Sequence, residues 1–317
     1  MPDPVLIVTA LGVAATAAAV VLLICGWPWR AARTPWFDAG WVLGVGAGFV
    51  LGCWVLGIRP HWPPREDQDR LLALVLPAIL VVELLATFPR VPRWLIWPLR
   101  SAVAASGAGI LLFGSSYLTD VAGPGTREWS PVQAWLILGG LAAALAADWV
   151  LLAILARRAP GLSHAVCLSG TSAGAALTVM LSGYATGGQV GLPLAAALLG
   201  AAAAVLVLPR ASQTTGPIGV AIVGLFSLLV IGRFFGQLTS AHAILLFCAP
   251  LLGWLPELPY LRRLRPWARG LTRVILVGAL VSAVVVDAQR KFVEDSNASS
   301  GAEPEEPSIQ DDKDLGR

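Results

Sequence analysis

Ten stretches of this chain are apolar and long, and that fact limits its fold more than any other. They run over residues 5–26, 40–58, 71–88, 94–117, 132–156, 163–184, 189–208, 217–235, 241–258 and 271–288. Each reaches or approaches the ~20 residues a helix needs to cross a hydrocarbon layer of ~30 Å. Lipid offers no partner to an open backbone N–H or C=O, so such stretches must be helices. The ten-residue alternating segments of a membrane β-barrel are absent. The predicted fold is therefore an all-α, polytopic transmembrane bundle of nine or ten spans, with no soluble domain. A mean hydropathy of +0.74 agrees. The spans at 163–184 and 241–258 carry the weakest signal, being rich in small or polar residues or Pro.

Tryptophan marks the expected span ends, because an amphipathic ring settles at the membrane–water boundary. Trp27, Trp29, Trp36, Trp41, Trp62, Trp94, Trp97, Trp129, Trp135 and Trp267 are all placed at or beside ends. The arginines give orientation. Odd-numbered loops carry eleven: Arg30, Arg33, Arg90, Arg93, Arg157, Arg158, Arg210, Arg262, Arg263, Arg265 and Arg269. Even loops and the start of the tail carry seven basic residues: Arg59, Arg65, Arg70, Arg127, Arg233, Arg290 and Lys291. The odd loops are expected on the cytoplasmic side and the N-terminus outside. The leader MPDP lacks the positive charge of a signal peptide, so the first span is expected to be retained. Sparse Lys and heavy Ala, Arg and Gly use suit a bacterial cytoplasmic membrane. A net charge of +3 gives no basis for a nucleic-acid partner.

From Phe292 the composition changes. Residues 292–317 hold eight of the 19 acidic residues among Ser, Pro and Gly, and are expected to be disordered. The stretch HWPPREDQDRLL, residues 61–72, concentrates charge before the third span. It is expected to be a solvated helix start, with Arg65–Asp69 and Glu66–Arg70 paired at i,i+4.

Small residues four apart mark close helix packing in lipid. Gly44, Gly48 and Gly52 make one such stripe, Gly170, Gly174, Thr178 and Ser182 a second, and Ala196, Gly200 and Ala204 a third. The polar second stripe is also a candidate lining for a solute path. Cys25, Cys53, Cys167 and Cys248 all fall in apolar segments and are expected to be small buried hydrophobes.

An ionisable group at membrane depth is by default a functional candidate. Glu83 and Arg100 each lie seven residues from the arginine nearest the hairpin between spans three and four, which sets them at equal depth. They are expected to pair. Asp148, in LAADWVLL, lies nine residues inside Arg157 with no Arg or Lys of another span at its depth. An isolated carboxylate there is most easily held with its proton on, which suits a proton- or cation-linked carrier. The alternative is a structural Asp hydrogen-bonded to the polar side chains of span six.

Catalytic signatures fail on context. Gly170-Thr-Ser172-Ala-Gly174 matches G-x-S-x-G, but that motif needs a strand-to-helix turn. Ser172 and His242 differ in depth by ~10 Å, too far for a nucleophile–base pair. His61 and His164 lie in predicted loops and are not read as metal ligands, and phosphate and dinucleotide motifs are missing. No catalytic residue, metal ligand or cofactor is expected. The leading expectation is a secondary carrier of a small solute. A non-catalytic subunit binding partner transmembrane helices is the second, and a lipid-modifying enzyme the third.

Overall fold

A computed structural model describes residues 3–26, 35–120, 127–208, 216–261 and 265–301. Ten helical elements follow in order: α1 (Pro4–Gly26), α2 (Pro35–Val55), α3 (Asp67–Thr87), α4 (Arg93–Leu112), α5 (Pro131–Arg158), α6 (Ser163–Leu181), α7 (Ala185–Val207), α8 (Gly216–Phe234), α9 (Ser240–Glu257) and α10 (Pro266–Gly301). There are no strands among the described residues, and nine of the helices are long and apolar enough to cross a membrane. The tenth, α8, is apolar over Ile218–Phe234. The protein is an all-α, multi-pass membrane bundle.

α8 forms its axis. Nearly every residue from Ile218 to Gly232 is buried, and the helix touches each element from α2 to α7 as well as α9. A helix apolar all round belongs in a protein interior. This one is surrounded by helices, whereas α1 turns Val5, Val8 and Ile24 outward and buries only Ala10, Ala14, Ala18, Leu22 and Gly26. That four-residue spacing is the face α1 sets against α2 and α7.

The glycine stripes explain the closeness of that contact. A methyl on Gly48 would stand 2.5 Å from the Ala14 carbonyl, and one on Gly52 would stand 2.6 Å from Pro193. Gly200 lies directly on the Ala15 backbone, and Gly174 on Val281 of α10. Most of these glycines are thus covered from within the same chain, whereas Gly170 is exposed. The hydroxyls of the α6 stripe fold back onto their own helix: Thr178 donates to the Gly174 carbonyl and Ser182 to that of Val179. Both side chains also border a cavity of about 350 Å³ between α6, α9 and α10.

Two helices break regularity where proline demands it. Pro77 has no N–H to give to residue 73, and the chain passes residues Leu71–Val75 as a π turn before resuming an α-helix. α9 is α-helical only over Ser240–Cys248 and continues as a 3₁₀-helix over Ala249–Glu257. Pro250 cannot donate to Leu246, and Pro256 interrupts the same stretch.

Three expectations are corrected. Trp41 is fully buried, because α2 begins at Pro35 and carries it six residues into the bundle. Trp62, Trp94, Trp135 and Trp267 do stand exposed at helix ends. The tail is helical as far as Gly301, since an existing helix can be extended without a new nucleation step. Residues 302–317 lie outside the described residues, as do Trp27, Trp29, Arg30, Arg33, Arg210, Arg262 and Arg263.

The third correction concerns residues 65–70. Asp67, Gln68 and Asp69 are buried, and neither expected i,i+4 pair forms. Asp69 instead accepts the backbone N–H groups of His61, Arg65 and Glu66 at 3.0, 3.3 and 3.4 Å. Arg70 spans to the Leu111 carbonyl at the end of α4 (3.1 Å) and to that of Arg65 (2.7 Å). Backbone groups at helix ends need partners, and here charged side chains supply them.

Candidate functional site

Three ionisable side chains lie at membrane depth on α3, α4 and α5. Glu83 is 2% exposed. Arg100 meets it side-on, donating from Nε to Oε1 at 2.8 Å and from Nη2 to Oε2 at 2.9 Å. This two-pronged geometry matches the planar guanidinium to the planar carboxylate. The guanidinium carbon also stands 5.3 Å from the ring centres of both Trp97 and Trp149, whose π faces attract a cation. The fourth side of the pair is Gly219 of α8. A methyl there would fall 2.5 Å from the Glu83 carboxyl carbon. Nothing in the local sequence marks Gly219 for this role, since its partner lies more than a hundred residues away.

Trp149 is the link to the second feature, because the residue before it is Asp148. Successive residues of a helix point about 100° apart. α5 therefore gives its indole to Arg100 and its carboxylate to another surface. Asp148 is 2% exposed, and neither oxygen has a hydrogen-bond partner among the described residues. α5 packs mainly on α4, α8 and the 3₁₀ half of α9. No α6 hydroxyl bonds to Asp148, which corrects the alternative of hydrogen bonding to span six: Ser169, Thr171 and Thr178 serve α6 and α7 backbone carbonyls instead. The near titratable neighbour is the Cys248 thiol on α9, within electrostatic reach of the carboxylate.

A cavity of about 580 Å³ opens between α5, α8 and α9 at the bundle end that carries the even loops. Tyr117, Trp129 and Phe234 cluster at its mouth, with ring centres 4.9–5.4 Å apart. Leu141, Ala144, Phe226 and Phe247 line its depth. Ala144 is one helical turn from Asp148, about 6 Å along α5. The cavity stops at that turn and does not include Asp148 itself.

Polar clusters that the sequence did not suggest occupy both bundle ends. At the even-loop end the Tyr184 hydroxyl donates to Asp67 Oδ1 at 2.8 Å and accepts from Gln68 Nε2 at 3.4 Å, joining α3 to the start of α7. Burial and the neighbouring Asp67 push the Tyr184 phenol up to about 12. Nearby, His242 Nε2 lies 2.8 Å from Asp287 Oδ2, which also binds Lys291 at 3.0 Å. His242 thus engages α10, while Ser172 is buried with its hydroxyl unpartnered among the described residues. The two form no catalytic pair. At the odd-loop end Arg273 is buried, bound to Glu257, to Ser163 Oγ at 3.2 Å and to the Gly253 carbonyl at 3.2 Å. No group of three metal-ligating side chains occurs among the described residues. Each cluster joins residues far apart in sequence: Tyr184 and Asp67 by 117 positions, Arg273 and Ser163 by 110, and His242 and Asp287 by 45.

Comparison with protein families, with characterised proteins and with solved structures finds no match to this chain. The chemistry of the site is therefore the guide to function.

Proposed function

We propose that this protein is a secondary carrier of a small solute, coupled to protons or cations through Asp148. The observation that carries the reading is the carboxylate itself, buried inside a membrane span with both oxygens unpartnered among the described residues. A buried charge without a partner is strongly unfavourable, whereas a carboxylic acid that gains and loses a proton during a cycle is tolerable. The adjoining cavity gives a solute somewhere to wait one turn away. Glu83 and Arg100 are mutually satisfied and brace α3 against α4.

The same reading sets the chain in a bacterial cytoplasmic membrane with the even loops and the N-terminus outside, on the arginine count of the loops. The alternative of a scaffold for partner helices has less support, because the stripe glycines other than the exposed Gly170 already meet α1, α7 or α10.

Reconstituted protein tests the proposal. Purified full-length chain in liposomes with an internal pH dye should show proton movement driven by at least one solute of a broad panel. Asp148→Asn should abolish that movement while the protein remains folded and monodisperse. Proton movement that survives Asp148→Asn unchanged rejects the assignment.

A further inference from the structure

A second cavity, of about 480 Å³, lies on the other side of Asp148. Its walls include Arg158 at the end of α5, Trp254 and Leu251 of the 3₁₀ stretch, and Cys248. The first cavity ends at Phe247 and Ala144; the second begins at Cys248. On α9 the two are separated by a single peptide bond, and that bond lies one residue before the α-helix gives way to the 3₁₀-helix at Ala249. On α5 the intervening stretch contains Asp148. One seam between α5 and α9 therefore holds an opening to each end of the bundle, a barrier at the depth of the unpartnered carboxylate, and a broken helix at the barrier. Irregular backbone at membrane depth is tolerated where it is buried in protein or lines a water-filled cavity, and interrupted helices at such a level are a recurrent device of carriers.

The mouths share a charge pattern. Arg233 at the first donates to Ser240 Oγ (2.9 Å) and lies 5.8 Å from the Phe234 ring centre; Arg158 at the second stacks 5.3 Å from that of Trp254. Neither arginine forms an ion pair with a carboxylate among the described residues. Each mouth also holds one acidic wall residue. Glu128 accepts from Ser116 Oγ at 2.7 Å, and Glu257 binds Arg269 and Arg273. Each mouth is thus a largely apolar cavity with an aromatic ring and one arginine that pairs with no carboxylate among the described residues.

We infer that the α5–α9 seam is the solute route, and that it takes small organic acids with an apolar or aromatic body, an arginine at each mouth receiving the carboxylate. The inference rests on the carrier reading and names its substrate class. An anion can pass Asp148 only when that side chain is neutral. The balance is one proton bound by the Asp148 carboxylate at one side and released at the other, moving with the organic anion. The groups facing that step are Cys248 on α9 and, behind Trp149, the Arg100–Glu83 pair on α4 and α3.

The native Cys248 thiol, exposed in the seam, reports the route directly. The full chain in liposomes is treated with an anionic and a cationic membrane-impermeant methanethiosulfonate, with rates at Cys248 read by peptide mass spectrometry and normalised to a free thiol. The expected result is modification by both, severalfold faster for the anion, with that preference lost in Arg233→Gln or Arg158→Gln. Addition of 3-phenylpropionate should slow modification severalfold, whereas 3-phenylpropan-1-ol and phenethylamine should not. A Cys248 that resists both charged reagents faces lipid, and the route is wrong. Equal protection by acid, alcohol and amine overturns the substrate class. Labelling needs no turnover, so an unreactive Cys248 rejects the route whatever Asp148→Asn does to flux. Flux indifferent to Asp148→Asn rejects the carrier whatever Cys248 does.

Discussion

Glu83 and Asp148 are both carboxylates, both 2% exposed, and both inside membrane spans of one bundle. Glu83 has a two-pronged guanidinium, two tryptophans beyond it and a glycine cut away behind it. Asp148 has no hydrogen bond among the described residues. The difference separates two uses of a buried charge. A pair that is matched in charge and geometry can be left alone and fixes the register of α3 on α4. A group left without a partner has to change its protonation state or its surroundings, and either change can be coupled to something that moves.

The comparison breaks most visibly at Arg100. Arg100→Ala leaves the Glu83 carboxylate buried and alone, which costs about 3–5 kcal/mol. Thermal or denaturant unfolding in detergent should record that loss. The Glu83→Gln, Arg100→Gln double variant should lose less than Arg100→Ala, because no uncompensated charge remains. If Arg100→Ala is no less stable than the double variant, the pair is not the brace described here.

Gly219→Ala probes the back wall of the same pair. The new methyl presses on a carboxylate already held by two hydrogen bonds, an overpacking cost of about 1–3 kcal/mol. In a Glu83→Ala background the penalty should vanish, since the space is then empty. A penalty of the same size in both backgrounds assigns it to α8 backbone packing instead.

Asp148→Asn should behave in the opposite way to the changes at Glu83 and Arg100. It breaks no hydrogen bond, so stability should change by less than about 1 kcal/mol while coupled flux disappears. A large loss of stability would show that Asp148 is structural after all.

Tyr184 gives the smallest and sharpest effect. Tyr184→Phe removes the donor to Asp67 and should cost about 1 kcal/mol near neutral pH. The folded phenol ionises at about 12, above its unfolded value of about 10. The unfolded chain therefore gives up this proton first as pH rises. Stability from the buried phenol is complete below about pH 10 and is lost as pH climbs through about 12. Ultraviolet titration of the protein against Tyr184→Phe should show one phenolate step near 12.

Much of this architecture was legible because lipid imposes a strong, local rule. Each span had to be apolar over a helix's crossing length, and the ten predicted stretches coincide with the ten helices to within a few residues at most ends. Glu83 and Arg100 could be matched in depth by counting outward from one hairpin. Trp41 and the charged start of α3 were misread for one shared reason. A residue beside an apolar run can face water or be drawn into a neighbouring helix end, and its own segment does not say which. Asp69 is a cap for a loop eight residues back, and Asp67 is held by a tyrosine 117 positions away.

By itself, then, the sequence determined that this chain is a helical membrane bundle, roughly where each helix starts and stops, and at what depth three ionisable groups lie. Those are one-dimensional quantities, fixed by hydropathy and a rise of 1.5 Å per residue. Only the tertiary structure decided which carboxylate is matched and which is left bare. It alone set Trp149 against Arg100, Gly219 behind Glu83, and two cavities either side of Asp148. Depth along a helix is written in residue number, whereas the direction a side chain faces has meaning only once the neighbouring helix is in place.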